Sequence, residues 1–373
     1  MRSSRDLRID FFRGLALVMI FVNHVPGNVF ETLTSRNFGF SDATEIFVFL
    51  AGYAAALAYS RSFAEQGFAA GGKRVLRRAG QLYVAHQISV IAAIAVIAAA
   101  AWAAMDPTYY EWINLAPIFY NSKGALIGLL TLGHQPGYFN ILPLYIVLLL
   151  MLPPLFLLAR RSVALMLLLS GLLWLSANLL HLNLPHYPNG DRWFLSPFGW
   201  QFLFAIGLAF GLRAKGGAAP LALRPSLFAL CCLYLLAALI SVRTEAGLWF
   251  DLGSASFPLG FDKAHLSPTR LVHFLALAYV TACLARRSEW FAGALCRPLV
   301  LLGQNSLHVF CLGSVVAVGA QILRFERDGG FWDDVLLIGC GILLQLGLAA
   351  YLTWQKRRFT AEVPLSNRAS PAG

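Results

Sequence analysis

From Ile88 to Met105 the chain carries no charged residue, and alanine, isoleucine and valine dominate the run. A helix of about 20 apolar residues is what crosses a hydrocarbon core of about 30 Å. In lipid, only helices and closed barrels satisfy their own backbone polar groups. The run is one of a series. Ten stretches of similar character are predicted as spans: 12–30, 43–60, 79–104, 137–159, 162–182, 195–212, 222–242, 268–285, 298–323 and 332–355. Composition agrees, since 58% of the residues are hydrophobic and only 13% are charged. An ordinary soluble domain has roughly 25% charged residues, and a disordered chain has few apolar ones. Both classes are excluded. The expected fold class is an all-α polytopic membrane protein with about ten transmembrane helices.

The net charge of +11 comes from 29 Lys+Arg against 18 Asp+Glu. In a soluble protein this would suggest nucleic acid. With the N-terminus placed inside, 20 basic residues fall in inner segments, 7 in outer segments, and Arg13 and Arg270 within spans. That asymmetry is the positive-inside pattern. It puts both termini in the cytoplasm and removes nucleic acid as a partner. The stretch 112–133 is apolar but broken by Pro117, Lys123 and glycines. It reads as re-entrant or interfacial, because an eleventh span would invert the second half. Residues 1–358 are expected to form one integral-membrane domain, and 359–373 a short, disordered cytoplasmic tail. No signal-peptide cleavage site follows the first run. The six cysteines lie in or beside apolar segments without a CxxC, so neither a disulfide framework nor a metal site is expected.

Polar groups inside spans are costly and usually functional. The first span holds Arg13 and His24, and Asp10 lies just before it. Eleven helical steps separate Arg13 from His24, a rise of about 16 Å and a rotation of about 20° past three turns. The two therefore share a face near opposite ends of the span. Asp10 is three residues before Arg13 and can pair with it. The second span opens on Asp42 and Glu45, at the same side of the bilayer as His24. A carboxylate beside a histidine makes a general base. Snorkelling of Arg13, helix packing by His24 and simple capping by Asp42 or Glu45 are the plainer alternatives. Gly52 would allow a close helix approach.

The pattern Asp10-x-x-Arg13-Gly14, with Arg13-x10-His24 and then Glu45-Ile-Phe-Val-Phe-Leu-Ala51-Gly52-Tyr53, resembles the acyltransferase-3 superfamily of membrane acyltransferases. Ala51 stands where that superfamily usually has serine. The run Phe38–Phe49 is similar to the OpgC branch in particular. So are Leu142-Pro-Leu-Tyr-Ile146, His273–Ala278 and Gly303-Gln-Asn305-Ser306-Leu-His308-Val-Phe310.

The resemblance implies an O-acyltransferase in a bacterial inner membrane. It would move an acyl group, with succinyl the leading choice, from cytoplasmic acyl-CoA to hydroxyls of periplasmic osmoregulated glucans. His24 would be the base, with Glu45 and Arg13 beside it in the catalytic set. Whether transfer is direct or through an acyl-enzyme stays open. Acyl-CoA (succinyl-CoA) is the expected co-substrate, with no metal. Arg13, Asp10, Arg74, Arg77, Arg78 and His86 are candidates for the donor site. Asp42, Arg270, His273, Asn305 and His308 are candidates for the acceptor site. Outer-loop rings could stack on sugar: Tyr109, Tyr110, Trp112, His134, Tyr138, His186, Tyr187, Trp193, and Trp249 with Asp251. The interfacial aromatic belt explains most of them equally well. Expected partners are the glucan, the acyl-CoA and the lipid bilayer, with homo-oligomerisation open. The rival class is a secondary transporter or flippase for a carbohydrate or organic anion. Such a protein would show two matching Gly/Pro-broken helices in the chain's halves, and that pair is not found.

Overall fold

The computed structural model describes residues 6–188, 190–217, 221–244, 260–285 and 288–361. Trp249 and Asp251, and the tail from residue 362, lie outside the described residues. All named elements are helical. The chain starts with α1 (Leu7–Asn23), α2 (Ala43–Glu65) and α3 (Phe68–Ala104). Two short helices, α4 (Ala116–Tyr120) and α5 (Ser122–Leu130), occupy the stretch read as re-entrant or interfacial. Then follow α6 (Ile141–Leu150), α7 (Leu152–Arg161), α8 (Val163–Leu179), α9 (Pro197–Lys215), α10 (Pro225–Arg243) and α11 (Pro268–Leu284). The described chain closes with α12 (Arg297–Gln304), α13 (Ser306–Glu326) and α14 (Phe331–Ala361).

Among the described residues, five helices are long and apolar enough to cross a membrane: α2, α3, α10, α13 and α14 up to Arg358. The α6–α7 pair makes a sixth if counted as one span, although it is bent by 45°. Its bend has a chemical cause. Pro153 and Pro154 open the first turn of α7, and proline can neither donate a backbone hydrogen bond nor continue a preceding helix without a clash. The predicted span 298–323 is likewise two helices. It breaks at Asn305, whose amide donates to Leu301 O (3.1 Å), Ala349 O (3.2 Å) and Thr353 Oγ1 (3.0 Å). Gln304 ends α12 and His308 lies in α13, so the two do not share one helix.

Two glycine seams hold the site's helices together. On the α2–α9 seam, a Cβ at Gly52 would lie 2.0 Å from Phe204 O, one at Gly207 2.1 Å from Phe49 O, and one at Gly211 2.5 Å from Tyr53 O. On the α1–α12 seam, a Cβ at Gly14 would lie 1.9 Å from Leu299 O, and one at Gly303 1.8 Å from Asp10 O. Backbone contacts this close leave no room for any side chain, and small residues are how membrane helices gain such packing. Gly207→Val is expected to force α2 and α9 apart. Size-exclusion chromatography in detergent should show loss of the monodisperse species, whereas Gly339→Ala, where a Cβ meets nothing within 4 Å, should leave it intact.

Candidate active site

His24 caps the C-terminal end of α1. Its carbonyl accepts a 2.6 Å hydrogen bond from Gln321 Nε2 of α13, which fixes the backbone at this point. Its ring lies 4.5 Å from that of Tyr138. Nδ1 is buried with no hydrogen-bond partner among the described residues. The ring opens onto a cavity of about 520 Å³, whose walls include Asn23, Arg36, Asp42, Tyr138, His186, Arg192 and Lys263. All of these come from segments that the charge count assigns to one side of the bilayer, or from span ends at that side.

The carboxylates that begin α2 form a capping box. The Asp42 side chain accepts from Thr44 N (2.7 Å), and Glu45 Oε2 accepts from Asp42 N (2.9 Å). Asp-x-x-Glu before an apolar run is the sequence signature of this device. A cationic layer lies over it. Arg270 Nε donates to Glu45 Oε1 at 2.8 Å, and its Nη2 reaches Glu45 Oε1 at 2.6 Å and Asp42 Oδ2 at 3.2 Å. Lys263 Nζ donates to Asp42 Oδ2 at 2.6 Å. Burial pushes the Asp42 carboxyl up, but Lys263 and Arg270 outweigh it and hold the group well below the usual carboxylate range.

Glu45 is fully buried, and both its oxygens are occupied, by Arg270 and by the Asp42 amide. No hydrogen bond among the described residues joins it to His24. The charges within electrostatic reach of His24 are instead Lys263 and Asp42. Glu45 thus organises the end of α2, and Asp42 and Asp191 are the carboxylates that line the cavity.

A second cavity, of about 190 Å³, holds Arg13. Its walls include Phe47, Ala51, Tyr59, Arg78, Tyr145 and Ser306. Arg78 is the member of the basic run that reaches it. Arg74 is tied to Ser62 Oγ at 2.9 Å and lies over the Tyr59 ring, while Arg77 is exposed. Asp10 is buried at the α1–α12 seam. His86 is buried in α3 and lines neither cavity, and its ring nitrogens have no hydrogen-bond partner among the described residues.

The acceptor candidates are spread over both ends. Arg270 sits behind Asp42 and Glu45. His273 Nδ1 is 2.8 Å from Ser41 Oγ, and its Nε2 packs against Gly39, so it shapes the loop that leads into α2. Asn305 belongs to the helix break, where Lys356 Nζ donates to its Oδ1 at 2.8 Å. His308 lies within electrostatic reach of Lys356 and Arg78, at the Arg13 end of the bundle. Of the outer-loop rings, Tyr138 and His186 line the larger cavity, whereas Tyr109 is buried against Glu326.

Sequence reasoning passed over Arg36, Arg192 and Lys263 as site residues. A signal for them existed. They are three of the seven basic residues that the charge count leaves outside, against the positive-inside trend. All three line the larger cavity.

Membrane-length helices around two cavities, one lined by His24 and His186 and the other by Arg13 and Arg78, define a polytopic membrane protein with polar groups inside its bundle. Residues 5–357 match the family model described as OpgC protein, and the chain belongs to that family. Membership implies a transferase role connected with osmoregulated glucan modification. Neither the curated proteins nor the solved structures include a match.

Proposed function

We propose that this chain is an inner-membrane O-acyltransferase that moves a succinyl group from succinyl-CoA to a hydroxyl of a periplasmic glucan. The observation that carries the reading is the placement of Arg13 and His24, on one helix, in two separate cavities. Donor and acceptor can then approach one reaction centre from opposite faces. This reading takes the ten-span layout, with both termini in the cytoplasm.

The smaller cavity suits the thioester end of the donor, and its volume leaves the nucleotide outside it, beyond Arg78. Arg13 and Arg78 supply positive charge for a polarised carbonyl or for phosphate. The acceptor hydroxyl enters the larger cavity. Its oxygen attacks the thioester carbonyl while His24 takes the hydroxyl proton. Collapse of the tetrahedral intermediate breaks the C–S bond, and His24 returns the proton to the coenzyme A thiolate. The products are a glucan ester and free thiol. The succinyl group is taken from the family resemblance; Lys263 is paired with Asp42 and Arg36 with Glu31, so neither selects the charge of the acyl group.

Periplasmic glucan from cells with and without the chain tests the reading by mass spectrometry. A succinyl increment that depends on the chain is expected; identical glucan masses overturn it. Within the site, Arg78→Ala should raise the KM for succinyl-CoA with little change in the KM for glucan, and Arg77→Ala should raise it much less. Equal effects of the two variants on donor KM would contradict the assignment of Arg78.

A further inference from the structure

The two cavities share one wall residue, Phe310 of α13. It is 4% exposed, and its ring centroid is 6.2 Å from that of Phe47, which lines only the smaller cavity. Other helices show how thin the wall is. On α2, Thr44 faces the larger cavity and Phe47 the smaller. Three helical steps separate them, a rise of about 4.5 Å. On α6, the neighbours Ile141 and Leu142 face opposite cavities. The barrier between the two spaces is therefore about one helical turn thick, and the Phe310 ring borders both of them.

We infer that Phe310 is a specificity-determining partition: it separates the two cavities and sets the size of the acyl group that can reach His24 from the Arg13 side. The inference rests on the acyltransferase reading for its acyl-size consequence but not for the partition itself. An aromatic ring fits this role physically. Its large, stiff body blocks water and small solutes when seated against Phe47. The acyl carbons must squeeze past the same ring to bring the carbonyl to the acceptor. A wall of methyl-sized side chains, such as Ala51, Ala54 and Ala55 on the facing helix, could not block the path alone.

The first test needs no catalysis. Ala51→Cys is placed in the full chain with the six native cysteines replaced by alanine. Spheroplasts are then treated with a membrane-impermeant charged methanethiosulfonate. With Phe310 present, Cys at 51 should stay protected from outside; with Phe310→Ala it should become labelled. Leu82→Ala, which enlarges the smaller cavity at a residue that lines only that cavity, should leave protection intact. Phe310→Leu and Phe310→Trp guard against misfolding: among monodisperse variants, labelling should rise for Leu and stay low for Trp. Equal labelling with Phe310 and with Phe310→Ala or Phe310→Leu would overturn the partition.

The second test compares succinyl-CoA with glutaryl-CoA, one methylene longer, on purified protein. A methylene in a tight apolar passage changes kcat/KM by about 10–200-fold. The wild type should discriminate on that scale, and Phe310→Leu should lose most of the discrimination. An unchanged ratio in a folded, active variant would overturn the acyl-size role. An inactive wild type whose labelling still depends on Phe310 would remove the acyltransferase reading and the acyl-size role but leave the partition standing.

Discussion

His24→Ala should lower kcat for glucan acylation by about 10²–10⁴-fold, the usual contribution of a positioned general base. The binding constant for acyl-CoA should hardly change, because Arg13 and Arg78 lie in the other cavity. The split follows from geometry. His24 stands at the end of α1, its backbone fixed by Gln321 and its ring beside Tyr138. Truncation removes the proton acceptor from the larger cavity and leaves the donor's cations in place. Arg13→Ala should do the reverse, weakening acyl-CoA binding more than acceptor binding. Isothermal titration with acyl-CoA and initial rates on the same preparations would separate the two. A His24→Ala protein that keeps wild-type kcat would remove the base from the account.

The second large effect is structural. Arg270→Ala should destabilise the protein by about 3–5 kcal/mol, the cost typical of leaving a buried charge without its partner. Glu45 is fully buried, and its only side-chain cation among the described contacts is Arg270. Asp42 retains Lys263 at 2.6 Å, so it suffers less. The double variant Arg270→Met with Glu45→Gln should recover much of the loss, because it removes both charges while the glutamine oxygen can still accept from the Asp42 amide. Thermal unfolding in detergent, run as a double-mutant cycle, measures the coupling. Additive losses would show that the ion pair does not hold this end of α2.

The membrane class was legible because apolar runs of bilayer length have few alternatives. Arg13, His24 and Asp42 were legible for the same reason, as polar groups interrupting those runs. The capping box showed directly in Asp42-x-x-Glu45. What stayed hidden was tertiary. Spacing showed that Arg13 and His24 share a face, but not that a wall about one turn thick divides that face into two cavities. It could not show that Glu45 is claimed by Arg270 from 225 residues away. Hydropathy ran straight through Asn305, because one side chain replacing backbone partners leaves no mark on an apolar average. Phe310 was part of the motif that carried the resemblance, yet only packing reveals that it borders both cavities.

The central claim is that one chain joins a cytoplasmic acyl donor to a glucan hydroxyl. The most direct measurement uses purified wild-type protein in detergent, with succinyl-CoA and unsubstituted glucan. Free thiol and glucan mass are followed together. One succinyl ester gained on glucan for each thiol released, with both lost in His24→Ala, is the result expected. Thiol release without ester formation would contradict the account, as would glucan that crosses the bilayer of proteoliposomes unmodified.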